Sequence, residues 1–303
     1  MLKKPQIKGC FIQGQFQHGQ SENLLRVRHK HNGNLIAEMY KASAVQIESA
    51  LESAEEGSIA LSRLDQKVLE YGVFEFANQL AAHKNELIDI IVTETGKPEG
   101  YANVEVDRGV NVLTSLASSA IPSSGEGKTV LIISPFSLPL DQILDNICKE
   151  LIQGHSVILK PSSKSPLTAL FLASILVKTP LPAQGLQVIS CDTEQAEMLA
   201  HNANVSSVMF TGRDKVASHL SLTLLDKDIY LQTSNGNTSI FNSSRNSALM
   251  QHDMCERNEL NKIDKLLDDI LDQDTAVFDD LSLEHLMFNE LPLLTSKSQT
   301  LWV

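Results

Sequence analysis

Residues 154–170 read GHSVILKPSSKSPLTAL. Gly154 and His155 are followed by SVILK, with three consecutive apolar side chains. The turn PSSKSP comes next, and an apolar helix occupies 166–177. A short unbroken apolar run between turn signals is the pattern of a strand buried on both faces. The same unit recurs on either side of it. TVLIIS at 129–134 is a strand, PFSLPL follows it, and a helix near 141–153 leads into the quoted stretch. Beyond it, LQVIS is a strand and 193–202 a helix. VSSVMFTG at 205–212 runs from strand into a glycine turn, and a further helix covers 214–225. IYLQTSNGNTSIF at 229–241 is a strand, a polar turn with one glycine, and a second apolar stretch. Short strands alternating with helices predict an α/β fold, a doubly wound, mostly parallel sheet covered on both faces. Such sheets bind ligands beyond the carboxyl ends of their strands, so the residues after LIIS, VILK and VMFT are where chemistry is expected.

Ahead of this sheet lies a helical N-terminal region. VQIESALESAEEG and then KVLEYGVFEFANQLAAHKNELIDIIV, from 45 to 92, carry apolar residues at three- and four-residue spacing. Gly96 and Pro98 of TETGKP stop the second helix, another covers roughly 101–118, and IPSSGEGKT at 121–129 is a turn-rich connector. The domain with this pattern is expected to span 1–242. Residues 243–303 are of a different kind, with five Lys/Arg against twelve Asp/Glu, a net −7 of the whole chain's −12. NELNKIDKLLDDILDQ at 258–273 predicts one amphipathic helix in this acidic segment.

Composition excludes several classes. The 303 residues are 42% hydrophobic and 20% charged, as in globular proteins. A net charge of −12 argues against nucleic acid, which requires a concentrated Lys/Arg surface. No apolar run approaches the roughly 18 residues of a membrane span, and MLKKPQIKGCF lacks the apolar core of a secretory signal. Cys10, Cys148, Cys191 and Cys255 are scattered without paired spacing, which predicts reduced thiols and a cytoplasmic setting with neither disulfide nor zinc. HKH at 29–31, read as strand, places two histidines on one face without a third ligand. DDILDQDTAVFDD lacks the glycine and spacing of a calcium loop, so no metal is expected.

ETGKP at 94–98, ISPFSLPL at 133–140, the quoted 154–170 and VMFTG at 208–212 together resemble the aldehyde dehydrogenase superfamily, over roughly residues 30–242 and in the family's order. The resemblance implies a Rossmann-like NAD(P)-binding domain of the aldehyde dehydrogenase type, with most of the catalytic domain missing. PFSLPL lies nearest the lactaldehyde and non-phosphorylating glyceraldehyde-phosphate branches. The family oxidises aldehydes with NAD or NADP: a cysteine thiolate attacks the carbonyl, hydride passes to the nicotinamide, and a glutamate activates the water that releases the acid.

Carried onto this chain, the resemblance places Lys160 at the adenosine ribose, with Ser162 and Ser163 beside it. Ser163 stands where the family often has Glu, which repels a 2′-phosphate, so NADP is admitted beside NAD. Pro135, Phe136 and Ser137 would line the nicotinamide side, and Gly212 and Arg213 the pyrophosphate side at a helix start. Arg213 and Ala217 replace the family's Ser and second Gly; Arg213 either pairs with phosphate or blocks it. Ser137 stands at the oxyanion position in place of Asn, and Gln232 at the general-base position in place of Glu. An amide accepts no proton near neutral pH. No nucleophile segment follows; Cys255 is the one cysteine after Gln232, and Asp253, Glu256 and Glu259 disfavour its thiolate.

The assembly hairpin of the family is reduced to SSGEGKTV, so its usual dimer or tetramer is not expected. Three readings follow. The first is a family member without catalysis that serves as a nucleotide-binding module, or as a partner of an active aldehyde dehydrogenase or another protein through the C-terminal helix. That helix would otherwise cover a sheet edge. The second is an active NAD(P)-dependent enzyme with its chemistry moved to Cys255, and the third is a truncated gene product.

Overall fold

The computed structural model describes residues 8–241 apart from 120, 138 and 234–237. Cys255, the 258–273 helix and the rest of the acidic segment lie outside the described residues.

The chain enters through four short strands that the hydrophobic pattern did not single out: β1 (Cys10–Ile12), β2 (Gln15–Gln17), β3 (Leu24–Arg28) and β4 (Leu35–Tyr40). At three to six residues they are too short to show periodicity. β1 and β2 form a hairpin whose turn uses positive φ at Gln13 and Gly14, and the Gln13 N–H donates to the buried Gln187 side chain at 3.0 Å. β3 and β4 pair in a separate two-stranded sheet. The histidines of HKH are in the turn between them rather than on a strand, because Asn32, Gly33 and Asn34 supply turn chemistry: the Gly33 N–H donates to the His29 carbonyl, and Gly33 has φ 70°.

Helix α1 (Ala44–Ser62) starts at a reciprocal capping box between Ser43 and Gln46. The pattern over 67–92 predicts one helix, but the structure divides it into α2 (Gln66–Ala82) and α3 (Lys84–Thr95). The break is at His83. Its ring Nδ1 contacts the Gln79 carbonyl at 2.8 Å, Lys178 Nζ donates to Nε2 at 2.9 Å, and the ring meets Phe171 edge-on. Gly96 ends α3 in the left-handed conformation, φ 76°, as the sequence predicts. Helix α4 (Glu99–Ser118) completes the N-terminal layer.

From there the expected alternation holds: β5 (Thr129–Ile133), α5 (Asp141–Ile152), β6 (Ser156–Lys160), α6 (Pro166–Leu176), β7 (Leu186–Ile189), α7 (Thr193–His201), β8 (Ser207–Gly212), α8 (Asp214–Thr223) and β9 (Asp228–Thr233), followed by the antiparallel β10 (Thr238–Phe241). The order across the main sheet is β10-β9-β8-β5-β6-β7-β1-β2, with β9, β8, β5, β6 and β7 parallel. The chain winds outward from β5 through β6 to β7, then crosses back to β8 and β9, which makes the switch point between β5 and β8.

Alternate residues of the central strands feed two cores. Val130, Ile132, Val157 and Leu159 pack with α2–α6, whereas Leu131, Ile158, Val208 and Ile229 pack with α1, α7 and α8. Each such aliphatic side chain contributes about 1.5–3 kcal/mol on burial. This two-sided burial explains why β5 and β6 read as continuous apolar runs, and the half-exposed β9 as an alternating one.

Candidate functional site

Strand register gathers the candidate residues at one end of the sheet. Ile133 of β5 lies opposite Lys160 of β6 on one side and Phe210 of β8 on the other, and Thr211 lies opposite Gln232 of β9. The segments Ser134–Ser137, Lys160–Ser163, Gly212–Arg213 and the Gln232 position therefore leave the sheet side by side, around the switch point where a ligand is expected. Pro135, Phe136, Lys160, Ser162, Ser163 and Gly212 are half-buried; Ser137, Arg213 and Gln232 are exposed.

The β5–β6 side is braced from behind by ETGKP. Glu94, 1% exposed, accepts the Leu167 N–H at 2.5 Å, the Thr168 N–H at 3.0 Å and the Thr168 hydroxyl at 2.8 Å. It thus caps the first turn of α6 from another helix. Burial pushes its carboxyl up to about 7, against the downward pull of those three donors. Ser165, the residue at the ordinary capping position, is left with a buried hydroxyl that has no partner. Lys97 pairs with the buried Glu105 at 2.5 Å, and Glu105 accepts the Leu140 N–H at 3.1 Å, which fixes the start of α5. One charged residue of ETGKP thus secures the loop after β6, and another, through Glu105, the loop after β5.

Between these anchors the cleft offers donors and positive charge. Ser134, just after β5, has a buried hydroxyl lacking a partner. The Phe136 ring is flanked by Lys30 Nζ, 5.7 Å from its centroid, and Lys164 Nζ at 5.3 Å. The pattern-based reading named neither lysine, nor Glu94 and Glu105 as supports. A charged side chain inside an otherwise apolar helical face, as at Glu94 and Glu105, was the available signal.

The β8–β9 side is built differently. A Cβ at Gly212 would lie 2.5 Å from the Phe210 ring, so this glycine makes room for a neighbouring side chain. Arg213, at the start of α8, supplies no side-chain cap, leaving the helix amides to other acceptors, but Asp214 already places a negative charge in the first turn. Gln232 lies exposed on β9, between Thr211 and the Thr238 of β10.

The thiols within the described residues do not meet the needs of a nucleophile. Cys10, Cys148 and Cys191 are all buried. Burial pushes Cys10 up to about 12, Cys191 to about 11 and Cys148 well above the ordinary thiol value, so each stays protonated. His29 and His31 lie 5.8 Å apart between ring centroids in their turn, and among the described residues no group of three His, Cys, Asp or Glu is placed to hold a metal. No described helix is long and apolar enough to cross a membrane.

A parallel sheet wound from a central strand, with Lys-Pro-Ser after the strand on one side of it and a glycine-to-helix turn after the strand on the other, defines a nucleotide-binding type of α/β domain. A sequence model of the aldehyde dehydrogenase family matches residues 16–246, and the chain belongs to that family. The match takes in β2, β3 and β4, ahead of the motifs that first carried the resemblance. The 3-sulfolactaldehyde dehydrogenase of Priestia aryabhattai is 26% identical over 265 residues, covering 79% of this chain and 54% of the relative. The mitochondrial succinate-semialdehyde dehydrogenase of Arabidopsis thaliana is 26% identical over 227 residues, covering 69% and 43%. Among solved structures, an NAD-dependent benzaldehyde dehydrogenase from Corynebacterium glutamicum superposes with a TM-score of 0.70 at 22% identity, covering 75% of this chain and 55% of that one. An NADP-dependent glyceraldehyde-3-phosphate dehydrogenase from Bacillus halodurans, complexed with NADP, gives 0.69 at 17% identity, covering 74% and 52%. The chain spans about half the length of the curated relatives it matches.

Proposed function

We propose that this chain binds NAD or NADP at the carboxyl ends of β5, β6 and β8, and that it does not itself oxidise aldehydes. The observation that carries the reading is the contrast across the switch point. Braced loops, two unpartnered buried hydroxyls and several cations stand on the β5–β6 side, and an exposed amide, Gln232, stands where the resemblance asks for a base. Lys160 would donate to the ribose hydroxyls, Ser163 leaves room for a 2′-phosphate, and Pro135, Phe136 and Ser137 would flank the nicotinamide. Bound there, the dinucleotide supplies a hydride acceptor. The chain's own groups supply binding and orientation, and among the described residues at this cleft an exposed amide, Gln232, stands where the resemblance asks for a base.

As a nucleotide-binding module the chain would act in the cytoplasm, in keeping with its free thiols. Its acidic 243–303 segment would serve as the surface offered to an active aldehyde dehydrogenase or another protein. The test is calorimetric titration of the full chain with NAD and with NADP, alongside a search for aldehyde-dependent NAD(P)H absorbance. Binding that weakens at least about tenfold in Lys160→Ala, a loss of about 1.4 kcal/mol, together with no turnover, is expected. Absence of binding for both nucleotides at millimolar concentration removes the cofactor reading. Turnover that disappears in Cys255→Ala removes the inactive one.

A further inference from the structure

At the opposite end of β5 and β6 from the cleft, three side chains form a second constellation. Ser124 lies in the connection before β5, Glu150 in the last turn of α5, and His155 between Gly154 and β6. His155 Nδ1 is 2.7 Å from Glu150 Oε2, and its Nε2 is 2.9 Å from Ser124 Oγ. The carboxylate only accepts, so it selects the tautomer with hydrogen on Nδ1 and turns the Nε2 lone pair toward the hydroxyl. The histidine and glutamate side chains are 8% and 9% exposed, whereas Ser124 is open to solvent.

The arrangement is held on every side. The His155 N–H donates to the Glu150 carbonyl at 2.9 Å and the Ser124 N–H to that of Gln153 at 3.0 Å. Gln66 of α2 clamps the loop, accepting from the Ser123 N–H at 2.8 Å and donating to the Ile121 carbonyl at 2.7 Å. Gly154 has φ +85°, and a Cβ there would lie 3.1 Å from Ser62 Cα and 3.2 Å from Ser123 Oγ, so a glycine is what lets the turn bring Ser124 beside His155. Ser124 Oγ also lies 2.7 Å from the Glu126 carbonyl and 3.1 Å from that of Gln153, and it accepts the Glu126 N–H at 3.3 Å. These contacts keep the hydroxyl at the imidazole, and the two carbonyls compete with the imidazole for its proton.

We propose that Ser124, His155 and Glu150 form a hydrolytic site for small activated esters, separate from the nucleotide cleft and not dependent on it. Nucleophile, base and orienting carboxylate at hydrogen-bond spacing are the requirement for such chemistry. Ser124 Oγ bonds to the ester carbonyl carbon while its proton passes to His155 Nε2. The bond to the leaving alcohol then breaks, and the alcohol departs with that proton. Water gives a proton to His155, adds to the acyl carbon and releases Ser124, which recovers its proton. The balance is ester plus water to acid plus alcohol, with no redox partner. The Gly125 N–H, now held only by a 3.4 Å bond to Ser123 Oγ, is a backbone donor that can turn to the oxyanion. Ser124 and His155 are the catalytic residues; Glu150 is a positioning residue.

The test uses the full chain with a fluorophosphonate probe and p-nitrophenyl acetate. Expected are one phosphonate mapped by peptide analysis to Ser124, and ester hydrolysis that falls by about 10²-fold or more in Ser124→Ala and His155→Ala. Glu150→Gln slows labelling, Glu150→Asp recovers part of it, and Cys255→Ala leaves it unchanged. Because Ser124 is exposed, Ser124→Ala is checked for an unaltered melting midpoint, so that loss of hydrolysis is not loss of fold. A folded wild type that takes no phosphonate overturns the proposal, as does hydrolysis that survives Ser124→Ala or vanishes in Cys255→Ala. Those outcomes would leave the three residues as a clasp for the 123–127 turn.

Discussion

The two flanks of the switch point use the same secondary structure for different ends. On the β5–β6 flank, ionisable side chains are driven inside to hold the loops: Glu94 caps α6, and Lys97 with Glu105 fixes the start of α5. On the β8–β9 flank, β9 alternates buried and exposed residues, and of the four residues of β10 three are exposed. Buried charge is tolerated only where its hydrogen bonds are met, so it marks where loop geometry is specified. The specified flank is the one suited to hold a ligand. On the flank where this family's proton chemistry would be expected, Gln232 lies exposed on β9 beside Thr211 and Thr238.

The sharpest way to break the comparison is to remove Glu94. Glu94→Ala leaves the Leu167 and Thr168 N–H groups and the Thr168 hydroxyl buried without an acceptor. At about 1–3 kcal/mol for each unmet donor, a loss on the order of 4 kcal/mol is expected in denaturant unfolding. A loss within about 0.5 kcal/mol, as at an ordinary surface site, would mean that the flank is not braced in this way. Wild-type Glu94 also carries a pH signature. Burial raises its folded value from 4.5 to about 7, so the native state favours the protonated form. Its contribution to stability is therefore complete below pH 4.5 and is lost as pH rises through 7. Relative to Glu94→Gln, wild-type stability should fall by about 3 kcal/mol across that window.

The next largest effect is expected from Lys97→Met, which removes the 2.5 Å ion pair with the buried Glu105. Breaking a buried pair costs about 3–5 kcal/mol; Lys97 is partly exposed and Glu105 keeps the Leu140 N–H, so about 2 kcal/mol is expected. The double variant Lys97→Met/Glu105→Leu should recover much of this in thermal melts. If it is less stable than Lys97→Met alone, the Leu140 cap rather than the ion pair is the larger contribution.

The same contrast explains what the sequence disclosed. β5 and β6 announced themselves because burial on both faces demands continuous apolar residues, and Gly96 marked the end of α3 because a left-handed residue belongs there. β1 and β2 were not legible. β1 is placed by pairing with β7, a contact nearly 180 residues distant, and β2 by pairing with β1, rather than by any pattern of their own. His83 was hidden for a similar reason, since helical periodicity continues through it and only Lys178 and Phe171 reveal the break. One motif named Lys160 and Ser163, which leave the sheet at the end of β6, whereas Lys30 reaches Phe136 only through the β3–β4 turn.

The smallest effect is expected where the family's own chemistry would predict the largest. Gln232→Glu puts a carboxylate where the resemblance sets the family's base, at an exposed position beside Thr211 and Thr238, so stability should change by less than about 0.5 kcal/mol. The variant should still give no aldehyde-dependent NAD(P)H. A base that activates water acts on an acyl intermediate, and forming that intermediate requires a thiolate. Cys10, Cys148 and Cys191 are buried with thiols held protonated, and Ser137, which the resemblance sets at the oxyanion position, is exposed. Appearance of turnover in this single variant would show that the β8–β9 flank retains an intact catalytic arrangement lacking only its proton acceptor, and the contrast between the two flanks would then reduce to one side chain.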